Sequence, residues 1–200
     1  MSSGILCFRI NNKDKTFYPQ PFGEISTLGF KLAKFIAAHS TETLRNIIGR
    51  IRPVNLDDTS IDPYIETDGR VSSLKSLAYT PPDILFSWLS DDFPIFIEAP
   101  DDIRTENEGK FLYTVDLTLE NLSVKFPLTE RTFDDIIEID FKCLREKIQS
   151  VGSAFDFEVW MYKQRNTSSQ EEESSIDESK QKKSSDLEGV IISALNRWAD

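Results

Sequence analysis

The stretch FLYTVDLTLENLSVKF, residues 111–126, alternates apolar and polar side chains on both sides of a Glu120-Asn121 step. Val115, Leu117 and Leu119 are interleaved with Asp116 and Thr118, and Leu122, Val124 and Phe126 with Ser123 and Lys125. Successive side chains of a strand point to opposite faces, so this pattern builds two half-buried strands joined by a turn at Glu120-Asn121. An isolated hairpin is marginal in water, so the rest of the chain must supply partners for its apolar face.

Several segments can do so. GILCFRINN, residues 4–12, is rich in strand-favouring residues and ends in Asn-Asn, a turn composition; Thr16 to Tyr18 then returns as a short second strand. Pro19 and Pro21 are expected to end that pairing, because proline cannot donate to a ladder. FPIFIEAP (93–100) and FDFEVWMY (155–162) read as further strands. Helical spacing appears from Gly23 to about Ala38, with Leu28, Leu32, Phe35 and Ile36 on one face and Lys31 and Lys34 off it. A second helix begins at Thr41 and is stopped by Pro53; a third begins at Pro81-Pro82-Asp83, with Ile84, Leu85, Trp88 and Leu89 as its stripe. Phe133, Ile136, Ile137, Phe141, Leu144 and Ile148 predict a helix broken by Gly152.

Residues 165–186 hold one strong apolar residue, Ile176, too little to offset the entropy of ordering. After them Leu187, Val190, Ile191, Ala194, Leu195 and Trp198 recur at helical spacing. The expected organisation is a single α+β domain over residues 1–163, a mainly antiparallel sheet packed by helices. A disordered Ser/Glu/Lys-rich linker (164–186) and a short amphipathic helix (187–200) follow.

The formal net charge is −11, a field that repels a phosphate backbone, and the lysines and arginines form no basic stripe to overcome it. A nucleic-acid partner is therefore disfavoured. No apolar run approaches the roughly 18 residues a membrane helix needs, and no cleavable leader is recognisable. Cys7 and Cys143 fall in a strand pattern and a helical pattern, where a thiol behaves as a small buried hydrophobe, and a structural disulfide is not expected. These features suit a soluble intracellular protein of the cytoplasm or nucleus, with no membrane contact.

Candidate chemistry is sparse. His39 is the only histidine and the only side chain with an ordinary pKa near neutrality, as a general base requires; at a helix end it equally serves as a partner for the last carbonyls. Asp101, Glu108 and Lys110 superficially follow the order in which nuclease-like hydrolases hold Mg2+ and orient water. Asp134 and Glu138 would share a helix face, where acidic residues near a first turn complement the macrodipole. No paired His/Cys spacing, phosphate-cradling glycine loop or GxSxG elbow is present, so no metal or cofactor is expected. Ser168, Ser169, Ser174 and Ser175 each precede an acidic residue by three positions, a pattern acidophilic kinases accept.

The order of the aromatic turn and the hairpin resembles a group of short uncharacterised phage, bacterial and fungal proteins. In these a first strand leads to a glycine-containing aromatic loop and helix, and a later strand reads Tyr-x-x-Asp-Leu. Tyr18 to Gly29 and Phe111 to Leu117 are the similar segments here, the latter containing Tyr113-Thr-Val-Asp116-Leu117. Phe22-Gly23-Glu24 stands where the group has a Trp-Asp-Gly-Tyr kind of loop, and the resemblance implies no established activity.

The function expected from these features is a non-enzymatic protein-protein interaction or regulatory module with a phosphorylatable linker. Its contact residues would be Tyr18 and Phe22 in the aromatic turn, and Leu187, Ile191, Leu195 and Trp198 on the tethered helix. A small metal-dependent hydrolase using Asp101, Glu108 and Lys110 is the alternative.

Overall fold

A computed structural model of the chain describes residues 3–54, 81–91, 95–97, 110–127 and 136–164. Within them a five-stranded sheet has the order β2-β1-β5-β6-β7 and carries helices against it, an α+β fold. The strands are β1 (Ser3–Ile10), β2 (Lys13–Pro21), β5 (Lys110–Asp116), β6 (Asn121–Lys125) and β7 (Ile136–Asp140). Pairing is antiparallel throughout except between β1 and β5, which run parallel and so need a long crossover. The crossover contains a single π turn (Ile25–Gly29), α1 (Phe30–Ala38), α2 (Thr41–Arg50) and α3 (Pro82–Ser90). It also holds β3 (Arg52–Val54) and β4 (Ile95–Ile97), which form a separate two-stranded parallel pair. After β7 come α4 (Phe141–Ser150) and α5 (residues 154–164). The contacts divide the chain into Met1–Met161 and Tyr162–Asp200, and only residues 162–164 of the second unit are described.

The β1–β2 hairpin closes through Asn11 and Asn12, both at positive φ, the backbone that a two-residue primed turn requires and that asparagine tolerates. Arg9 Nε donates to Asp14 Oδ1 at 2.8 Å across this hairpin, and that bond raises the guanidinium pKa above its ordinary value. Contrary to the sequence expectation, β2 does not stop before Pro19 but pairs as far as Pro21. The reason is its position. β2 is an edge strand, and the register shifts between Gly4 and Leu6, so two residues of β2 face one of β1. Edges and bulges are where a sheet accepts proline.

One sheet face is continuous with the core. Leu6, Phe8, Phe17, Phe111, Tyr113, Val115, Leu122, Val124, Ile137 and Ile139 pack with apolar stripes from the five described helices. Those stripes include Leu32 and Ile36 of α1, Leu44 and Ile48 of α2, Leu85 and Leu89 of α3, Leu144 of α4, and Phe157 and Met161 of α5. Each is set by 3.6-residue spacing, and the period-two strands below present complementary rows. The cap of α2 is Ser40, whose hydroxyl accepts from Thr43 N at 3.1 Å. At the other end of α2, Lys15 Nζ donates to the carbonyls of Ile48, Gly49 and Ile51 at 2.5, 3.2 and 2.7 Å, joining the helix to the edge strand. Burial lowers the Lys15 pKa from its ordinary value.

Five local expectations are overturned. The β5–β6 connection is a four-residue turn, Leu117 to Glu120, between paired Asp116 and Asn121, so Leu119 lies in the turn at 71% exposure instead of on a strand face. Within the helix predicted from Phe133, residues Ile136–Asp140 form a strand, with Ile137 and Ile139 buried and Ile136 and Glu138 exposed; Glu138 therefore stands on a strand and not on a helix face. Asp140 accepts from Cys143 N at 2.8 Å and starts α4, which leaves Cys143 exposed on the helix instead of buried; Cys7 and Cys143 form no disulfide. Finally, FDFEVWMY is helical. Ser153 accepts from Asp156 N and donates to the Asp156 carboxylate, a reciprocal cap, and i, i+4 spacing buries Phe157 and Met161 while Phe155 and Val159 face out. On α3, Ile84 is exposed and Phe86 takes the buried place beside Leu85, Trp88 and Leu89.

Candidate functional site

The aromatic turn and His39 lie at the two ends of α1. At the N-terminal end, β2 delivers Phe22 into a left-handed backbone, φ 57°, which a bulky residue rarely adopts. Its carbonyl accepts from Leu28 N at 3.2 Å and from the Thr27 hydroxyl, and Glu24 O accepts from Thr27 N and Gly29 N at 3.1 and 3.2 Å. The π turn thus folds its amide groups onto the loop that precedes it. Gly23 is pressed against β1: a Cβ there would stand 2.1 Å from Gly4 N and 2.2 Å from Ser3 C. Glycine is required at that position by close approach. Gly4 is similarly confined, since its own Cβ would meet Leu28 at 2.5 Å.

The Tyr113 hydroxyl completes the frame by donating to Gly23 O at 2.8 Å, with its ring against Gly29. Asp116, also buried, accepts from Thr118 N and Leu119 N at 2.8 and 2.9 Å and so caps the β5–β6 turn. Leu117 O takes two donations from Arg45 of α2, at 3.0 and 2.6 Å. Each residue of the Tyr113-x-x-Asp116-Leu117 series therefore has a packing role. What the frame leaves outside is the Phe22 ring, 43% exposed. Tyr18 lies on β2 with its side chain outside the described residues.

At the C-terminal end, His39 caps α1. Its Nδ1 is 2.8 Å from Phe35 O, and because a carbonyl only accepts, Nδ1 carries the hydrogen. The imidazole packs on the Phe35 ring with centroids 4.8 Å apart, and Arg145 donates to His39 O at 3.0 Å. A cleft of about 300 Å³ runs from here along α1 as far as Lys31, between α1 and α3, lined by Lys31, Lys34, Phe35, His39, Asp83, Phe86 and small neighbours. Its base includes the Phe35–Phe86 stack, centroids 5.1 Å apart, and a Lys31–Asp83 ion pair of 2.5 Å bridges the two helices.

Of the proposed hydrolase residues, Lys110 alone is among the described residues. Lys110 is the half-buried first residue of β5, opposite Ser3, whereas Asp101 and Glu108 lie outside the described residues. So do Asp134, Leu187, Ile191, Leu195, Trp198 and the four serines Ser168, Ser169, Ser174 and Ser175. Among the described residues no group of three His, Cys, Asp or Glu side chains could hold a metal ion, and no helix is long and apolar enough to cross a membrane. Sequence reasoning missed Phe86 and Asp83 as parts of a cleft, although the Pro82-Asp83 helix start carried a signal for where α3 begins. No protein-family model, curated protein or solved structure matches the chain.

Proposed function

We propose that the chain is a non-enzymatic intracellular interaction module that meets a protein partner through the turn at Phe22, with the phosphorylatable linker and the tethered helix as further contacts. One observation carries this reading: an aromatic residue held at φ 57° with its ring partly in solvent. A left-handed non-glycine residue costs roughly 1–2 kcal/mol and persists only where its surroundings over-determine it. Here they do, through Gly23, Thr27, Leu28 and Tyr113, yet none of those bonds needs the Phe22 side chain. A rigid, pre-ordered aromatic loses little entropy on binding and is a favoured anchor residue. The test is affinity capture from the native cell with the full chain and with Phe22→Ser. Loss of a partner with an unchanged melting temperature is expected; an identical partner set with both baits overturns the reading.

A further inference from the structure

From the cleft between α1 and α3, we infer a binding site for a small molecule that joins a flat ring to an anionic group, independent of the turn at Phe22. The chain carries a net charge of −11, yet among the described residues the charged side chains lining this cleft are Lys31, Lys34 and Asp83, an excess of cations, with His39 beside them. The bare end of a helix would oppose an anion, but here the carbonyls of Phe35 and His39 are already occupied, by His39 Nδ1 and by Arg145. The neutral imidazole then keeps a lone pair on Nε2, and the protonated one adds a second donor.

Asp83 shows that Lys31 pairs with a carboxylate in this cleft. Its carboxylate sits 2.5 Å from Lys31 Nζ, with side chains 68% and 37% exposed, a pairing weak enough for a ligand's anionic group to replace. Lys34 lies over the Phe30 ring at 5.4 Å, its ammonium held on the same helix one turn along. Beside these cations the nearly buried Phe35–Phe86 stack forms the apolar floor of the cleft and presents its ring edges, against which a flat ring can pack edge to face. About 300 Å³ is the lower end of the range of small-molecule sites and suits a single-ring molecule.

The probe is phenyl phosphate, titrated into the full chain and followed by the ring NMR signals of His39, unambiguous because it is the only histidine. Inorganic phosphate and phenol are titrated in parallel. A saturable shift with phenyl phosphate, tighter than with either component, is expected. Lys31→Gln and Lys34→Gln should each weaken it about threefold, Lys34→Arg should retain it, and Asp83→Asn should tighten it about twofold. Lys142→Gln, an exposed lysine of α4 outside the cleft, should leave it unchanged. The proposal is overturned if His39 shows no saturable response, if phenol or phosphate alone binds as tightly, or if Lys142→Gln weakens binding as much as Lys34→Gln.

Discussion

The Tyr113 hydroxyl and the Gly23 carbonyl, separated by 90 residues of sequence, form a buried hydrogen bond of 2.8 Å. It links a central strand to the loop that starts α1, and it lies where that loop touches β1 too closely for any side chain. The position of the Phe22 ring thus depends on the sheet interior.

Tyr113→Phe keeps the ring against Gly29 and removes only the donor. It should lower stability by about 1–3 kcal/mol, because a buried carbonyl loses its partner. Urea unfolding measures the loss, and amide exchange at Thr27 and Leu28 should speed up as the loop loosens.

Phe22→Gly has the opposite sign. Relief of the left-handed backbone outweighs the extra entropy of glycine in the unfolded chain, and a net gain of about 0.5–1 kcal/mol is expected. Phe22→Ala retains a Cβ and should show no such gain. Comparing the two variants by thermal unfolding separates strain from lost contact; a gain would mean that the phenylalanine is kept at this position at the expense of stability.

Gly23→Ala would place a Cβ 2.1 Å from Gly4 N, in backbone that cannot move aside. A loss of about 3 kcal/mol or more is expected, measurable as a collapse of the melting temperature or of soluble yield.

How far these features were legible depended on the range of the interaction. The Asn11-Asn12 hairpin and the strands around Tyr113 and Val124 follow from local alternation and turn chemistry, and α1 from the spacing of Leu28, Leu32, Phe35 and Ile36. Where two periods fit the same residues, alternation alone does not decide between strand and helix. Phe155, Phe157, Val159 and Met161 alternate like a strand, but Phe157 and Met161 are also four apart, and the Ser153 cap decides for helix. Ile136 and Ile137 joined a helical stripe that Asp140 in fact begins four residues later. At the candidate sites, neither the φ of Phe22 nor the stacking of Phe35 on Phe86 has a local signature. Both result from contacts between segments far apart in sequence.

Lys15 is another such long-range contact. Lys15→Met keeps most of the apolar stem and removes three donations to the end of α2, so a loss of about 1–3 kcal/mol is expected. Lys15→Arg, which keeps charge and donors, should recover part of it. Equal losses in both variants by urea unfolding would show that the carbonyl contacts contribute nothing.

Asp140 marks the boundary at which strand β7 becomes helix α4, and its carboxylate accepts from Cys143 N at 2.8 Å. The alternation of Ile137 and Ile139 and the helical spacing of Phe141 and Leu144 meet here, and the cap fixes which residue belongs to which element. Asp140→Ala should cost about 1 kcal/mol, whereas Asp140→Ser, another good cap, should cost much less. Urea unfolding with an unchanged m-value, together with faster amide exchange confined to the first turn of α4, would identify the cap as the cause. Equal losses in Asp140→Ala and Asp140→Ser would instead assign the effect to removal of the negative charge from the helix N-terminus.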